Sequence, residues 1–450
     1  MEWLLFLILD KKKWSKITQN STIFKPKQKL NFMAIFQSYG FIISVSIILI
    51  ISYLFNIIAK RTGIPSVLML IATGIIIRYV LIATGVDGGK DLFSILEILG
   101  IIGLIMIVLE AALDLKLTKD KRGIILKSFT IALFSLLVTS FLIAYVMQIY
   151  IDCDFLTALI YALPLSIMSS AIVIPSVSIL PEDKKEFMIY ESTFSDILGI
   201  MYFYFLIQNA DASGATSVGL NILITIIATV ALALVASYGL VFLFQNIKTD
   251  VKLFLLIAVL LLLYSIGKTL HLSSLIIILV FGLTLANKHI FFRGKLAWYI
   301  KNDAIDKMYK DFHLVTLESS FVVRTFFFVI FGTTISLAAI LDFQVLVISI
   351  SILAILFGFR WLILRLFFRD EMHPMLSLAP RGLITILLFY SIPESFQVAE
   401  FNTGVLLMVI IISSIIMAVG LMKYKNNHKN GNNKVSDEVE DTDQTVVENI

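Results

Sequence analysis

The sequence predicts an all-α membrane protein, and three observations carry that expectation. Of 450 residues, 59% are hydrophobic and 15% charged, with a mean hydropathy of +0.94, whereas soluble domains carry about 25% charged residues. Apolar runs recur along nearly the whole chain, each near the roughly 20 residues that a helix needs to cross a bilayer. Five of the connections between them are mostly basic, and they alternate with four that hold no lysine or arginine. The single cysteine, Cys153, excludes an internal disulfide framework and argues against a cysteine-based metal site. The net charge of +4 is too modest to need nucleic acid as a partner.

Run length places about thirteen spans: 35–59, 63–85, 93–115, 124–150, 155–180, 187–209, 216–245, 251–270, 272–288, 314–340, 343–368, 374–395 and 403–422. The connections 116–127 (KLTKDKRGIILK), 181–186 (PEDKKE), 246–252 (NIKTDVK), 288–310 and 365–373 (RLFFRDEMH) are mostly basic. The stretches 151–154, 210–215, 341–343 and 391–402 hold no lysine or arginine. The positive-inside rule puts the first set, and the tail from Lys423, in the cytoplasm of a plasma-membrane protein. An odd span count then leaves the amino terminus outside. Residues 11–29, with KKKWSK and KPKQK, resist translocation, and MEWLLFLIL is a poor signal peptide. Either translation begins at Met33 or residues 1–32 lie on a membrane face, so the transmembrane domain is assigned to 33–423. The remainder, 424–450, is polar, Asn-rich and then acidic, and reads as a disordered cytoplasmic tail.

Helix breakers cluster in two spans. The fifth, FLTALIYALPLSIMSSAIVIPSVSIL, is interrupted by Pro164, Ser169, Ser170 and Pro175. The twelfth, PMLSLAPRGLITILLFY, carries Pro380, Arg381 and Gly382 together. An offset of seven spans is odd, so halves built around these two run in opposite directions. Matched interrupted helices in inverted repeats are a sequence pointer to a transporter's binding site, with crossed discontinuous helices as the expected core. The plainer alternative is that the prolines only kink two packed helices.

ESTFSDILG, at 191–199, opens the sixth span with two acids. Ionisable groups within spans are functional by default, because their desolvation is costly. Ser192 and Gly199 share the helical face of Asp196, at i−4 and i+3, and predict a small, wettable strip. Glu191 lies five positions back, about 140° round the helix, and points elsewhere. Asp196 holds either a proton or a hard monovalent cation, and that competition is the chemical minimum for cation/proton exchange. Arg381 cannot be neutralised, and Glu191 is its expected partner. Arg324, inside the tenth span, either offsets Asp196 or binds the carbonyl ends of the fifth. Glu110 and Asp114, in LEAALDLKL, read as interfacial acids near the end of the third span. No HExxH, phosphate loop or CxxC occurs, so neither a cofactor nor an intramembrane metalloenzyme is expected.

Four stretches together resemble the monovalent cation:proton antiporter superfamily, of the sodium/hydrogen exchanger type. LFNIIAKRTGIPSVLMLIATGIII (54–77) is similar to its R-x-G-[IL]-P connection and second span. ILGIIGLIMIVLEAALDL (98–115) is similar to its acidic third helix, ESTFSDILG to the helix bearing its ion-binding aspartate, and PRGL (380–383) to its P-R-G motif. The chain departs from the pattern in having Ser195 before the aspartate, and SSAIVIP where an acid-containing T-D-P is common. The resemblance implies that Asp196 carries the ion and proton and that Ser195 braces or coordinates. It also implies ligands from Ser169, Ser170 and the carbonyls near Ala171, and a structural Glu191–Arg381 pair. A homodimer with a moving core around spans five, six, twelve and thirteen is implied as well. One carrier carboxylate predicts electroneutral 1:1 exchange of sodium, lithium or potassium for protons. A gated potassium efflux pathway and a sodium-coupled organic anion carrier are the competing readings.

Overall fold

The computed structural model describes residues 26–62, 64–84, 89–151, 153–208, 230–242, 245, 252–269, 274–292, 302–335, 342–398 and 401–447. All regular structure among them is helical. Hydrocarbon offers no partner to a backbone N–H or C=O, so apolar runs close their hydrogen bonds within the segment. Seven of the described segments are long and apolar enough to cross a membrane, and three shorter apolar helices accompany them.

Helices α2 (Ser66–Thr84), α3 (Gly89–Asp114) and α4 (Arg122–Tyr150) follow the expected spans closely, whereas α1 (Pro26–Thr62) begins nine residues before the expected first span and takes in part of the basic amino-terminal segment. The fifth span is broken, as its prolines predict, into α5 (Phe155–Ser166) and α6 (Ser170–Ser176). Helix α7 (Glu182–Gln208) starts five residues before the expected span, with Glu182 and Asp183 in its first turn, where the helix dipole favours acids. Of the seventh span, α8 (Val230–Phe242) and Gln245 lie within the described residues. Helices α9 (Lys252–Thr269) and α10 (Ser274–Ala286) match the eighth and ninth.

Helix α11 (Asn302–Thr334) departs from expectation, because it absorbs residues assigned to the connection 288–310. Its first turns are amphipathic: Ile305 and Phe312 are fully buried while Asp306 and Lys310 are exposed. Averaged hydropathy hides such a helix, whereas its period of three to four residues shows it. Helix α12 (Phe343–Phe368) coincides with the eleventh span. In the twelfth span, helix is confined to α13 (Leu383–Tyr390), and residues 373–382 are turns and extended chain. The final helix, α14 (Gly404–Val447), runs as backbone helix through the segment that composition predicts to be disordered.

Packing sorts the helices into two groups. One consists of α2, α3, α10 and α11, with α11 laid along α2 and α3. Gly74 and Gly332 make that contact possible: a Cβ on Gly74 would come within 2.8 Å of the Gly332 Cα. Small residues at a crossing let backbones approach closely in a bilayer, where no hydrophobic driving force separates helix from lipid. The other group is α4, α5, α7 and α12, with α6 on α7 and α14 on α12. Contacts of α3 with α7 and α13 join the two groups.

Candidate functional site

Asp154 starts the site from its far end. As N-cap of α5, its carboxylate accepts the Leu156 and Thr157 backbone N–H groups, each at 3.1 Å. Twelve residues later the helix stops, and Ile167 and Ser169 are extended. Pro164 and Pro175 flank this break. Pro175 has no N–H to return to the carbonyl of Ala171, so an oxygen of α6 is left without its helical donor.

The two interrupted segments cross at their breaks, where the Ser169 N–H donates to the Pro380 carbonyl at 2.9 Å. Gly382 permits the approach, since a Cβ there would meet the Ser169 Oγ at 2.7 Å. Arg381 holds the crossing together. Its Nε donates to the Leu165 carbonyl at 3.0 Å and its Nη2 to the Ser166 carbonyl at 3.2 Å, while Nη1 reaches the Ala379 carbonyl. A fixed positive charge therefore sits on the negative, carbonyl end of α5. The Arg381 backbone N–H donates to the Ser413 Oγ of α14 at 3.0 Å.

The expected Glu191–Arg381 pair does not form. Glu191 pairs instead with Arg360 of α12, in a bidentate contact of 2.8 and 3.1 Å, with both side chains buried. Arg360 also donates to the Met375 carbonyl through Nε at 3.0 Å and Nη2 at 2.8 Å. Arg381 is saturated by carbonyls, whereas Glu191 points round α7 toward α12, as its 140° offset from Asp196 requires. Arg360 was findable in the sequence, since an arginine in the apolar run FGFRWLILR is an intramembrane charge and needs a buried partner.

Asp196 is 1% exposed and bonds to no arginine. Its Oδ2 accepts the Ser170 N–H, at the start of α6, at 3.2 Å, and its Oδ1 has no partner. Ser169 Oγ is likewise buried without a partner. Ser195 braces the break rather than the carboxylate, because its Oγ accepts the Met168 N–H at 2.9 Å. The wettable strip beside Asp196 is absent: Ser192 donates to the Ile189 carbonyl at 3.2 Å, and Ile167 fills the space beside Gly199. The structure thus brings Asp196, Ser169 and Ser170 together, with Ala171 one residue on, and leaves Ser192 turned back on its own helix.

A cavity of about 430 Å³ reaches this place between the two groups of helices, lined among others by Ser170, Ala171, Glu110, Asp114 and Arg324. Thr62 and Lys425 also line it, so it lies toward the membrane face bearing the connections after α1 and α3. Arg324 neither offsets Asp196 through a bond nor binds α5, whose carbonyls belong to Arg381. Its Nη2 lies 3.3 Å from Glu110 Oε1, because the α3–α11 packing sets them side by side. Asp114 pairs with His313 at 2.6 Å. Both acids of α3, expected at the interface, are cavity-lining and partnered.

A buried carboxylate at the crossing of two interrupted helical segments is the construction of a secondary transporter. The chain belongs to the sodium/hydrogen exchanger family: the family model described as "Sodium/hydrogen exchanger, transmembrane" matches residues 45–423. Its fold is similar to that of the sodium proton antiporter MjNhaP1 from Methanocaldococcus jannaschii at pH 8. The TM-score is 0.64 at 19% identity, over 84% of this chain and 96% of that one. A second structure of MjNhaP1, from an electron microscopy map, matches with a TM-score of 0.58 at 19% identity, over 85% of this chain and 94% of that one. No curated protein matches the chain.

Proposed function

We propose that this protein is a secondary antiporter that exchanges a monovalent cation for protons at Asp196, by alternating access. The observation that carries the reading is the state of that side chain. It is buried, it has one oxygen on the Ser170 N–H and the other unpartnered, and the cavity is lined by Ser170 itself. An unpaired buried polar atom is expensive, so a site left open in this way is poised for a passenger. Hard oxygen ligands suit sodium, lithium or potassium: the Asp196 carboxylate, Ser169 Oγ and the Ala171 carbonyl stand together at the break.

A proton and a univalent cation neutralise the carboxylate equally, so both loaded forms cross the membrane with the same charge and exchange is 1:1 and electroneutral. One pH unit supplies about 1.4 kcal/mol, enough to move the cation against a roughly tenfold gradient. The Glu191–Arg360 pair and the Arg381 carbonyl clamp are structural. They hold α7, α12 and the two breaks as one unit that moves past the α2–α3–α10–α11 group. The basic connections support a cytoplasmic cavity mouth and carboxy terminus in the plasma membrane, and the family resemblance supports a homodimer. Engagement of Arg381 by carbonyls leaves that arginine closed to an organic anion, and Arg324 is held through one nitrogen by Glu110. In everted vesicles, sodium, lithium or potassium should collapse a preformed proton gradient with the wild type and fail to do so with Asp196→Asn. Equal signals from the two would remove the carboxylate from the reading.

A further inference from the structure

A second cavity, of about 860 Å³, lies between α12 and α14. Its walls are apolar: Ile350, Leu353 and Phe357 from α12 face Ile412 and Ile416 from α14. Pro374 and Ser377 line it too, and they belong to the irregular segment that carries Pro380 and Arg381. Gly420 packs directly on Ser377, so α14 lies against that segment. At one end the lining turns polar and basic, with exposed Lys423 and His373 beside Asn427. Lys184 reaches the His373 carbonyl at 3.3 Å and adds a third basic group.

Length and charge identify the occupant. From Ile412 to Lys423 is eleven residues, about 16 Å of helix, which is one leaflet of a hydrocarbon core roughly 30 Å thick. The flanking faces of both helices are exposed and apolar, including Leu346, Trp361, Ile415 and Val419, so the groove opens toward lipid. A basic rim at the end of an apolar slot one leaflet deep is complementary to an anionic headgroup above an acyl chain, the arrangement by which basic pockets between transmembrane helices hold anionic lipids. We propose that this groove is a binding site for one anionic phospholipid of the cytoplasmic leaflet, resting on the segment that forms the ion-site crossing.

The test uses the full-length protein in detergent with equimolar phosphatidylglycerol and phosphatidylcholine, with retained lipid read by native mass spectrometry. The wild type should retain phosphatidylglycerol preferentially, and Lys423→Glu should cut that preference at least about fivefold, the effect of one surface basic group. Ala354→Trp, which fills the slot from an exposed position, should lower retention of both lipids while gel filtration stays unchanged. Equal preference in wild type and Lys423→Glu overturns the proposal, as does undiminished retention in Ala354→Trp. Loss of a dimer in Ala354→Trp also overturns it, because the groove then belongs to a second copy.

Discussion

Glu191 and Arg360 form the most informative pair to perturb. Both are buried, and the contact is bidentate. Removing one partner of a buried ion pair strands the other charge and costs about 3–5 kcal/mol. Glu191→Ala leaves a buried guanidinium with the Met375 carbonyl and the weakly accepting Met188 Sδ, and Arg360→Met leaves a carboxylate and strips that carbonyl of two donors. Unfolding entropy near 2.1 cal/mol/K per residue over 450 residues is roughly 0.9 kcal/mol/K, so each single variant should melt about 3–5 °C lower. The double variant removes both charges together and should recover part of the loss. A coupling of about 1–3 kcal/mol is expected in the thermodynamic cycle, from melting or urea midpoints in detergent. Glu191→Ala should meanwhile show no such coupling with Arg381→Met. Additivity in the first cycle and coupling in the second would restore the Glu191–Arg381 pair and refute the packing described above.

Other consequences are as specific. Arg381→Lys should lower both exchange and stability, because an ammonium cannot reach the Leu165 and Ser166 carbonyls in the fork geometry of a guanidinium; transport and melting assays on wild type and variant decide it. Gly332→Leu should cost several kcal/mol by prising α11 from α2, and a variant melting within a degree of wild type would contradict the close crossing. Asp154→Ala should cost about 1 kcal/mol as a lost helix cap. The Thr157 side chain and the backbone N–H groups of Thr157 and Leu156, all bonding the Asp154 carboxylate, hold its pKa below the ordinary value. Its contribution is therefore complete above the unfolded pKa, about 3.9, and is lost as pH falls through the lower folded value. The stability gap between wild type and Asp154→Ala should be constant at neutral pH and close only in strong acid, as followed by denaturation midpoints across that range.

Much of this was legible in one dimension. Pro164, Pro175 and Pro380 announced the two breaks because a missing N–H cannot be disguised, and Asp196 stood out because an acid inside an apolar run has no bland explanation. Average hydropathy sets the start of α11 too late, because its first turns are amphipathic rather than uniformly apolar. Helical spacing also fails to give the carboxylate's surroundings, since Ser192 shares a helical face with Asp196 yet donates its hydroxyl to the Ile189 carbonyl.

Spacing along one helix says which way a side chain leaves the backbone. It does not say which neighbouring helix stands there. Apolar runs of about 20 residues mark this chain as helical and membrane-spanning, because a run of that length closes its backbone hydrogen bonds as helix while barrel strands are half as long. Its prolines mark the two interruptions. Which arginine meets Glu191, which carbonyls Arg381 clamps, and that the breaks cross at Ser169 and Pro380 were decided only in three dimensions. Those pairings depend on residues about 170 to 220 positions apart, whose proximity is set by the packing of whole helices rather than by anything local.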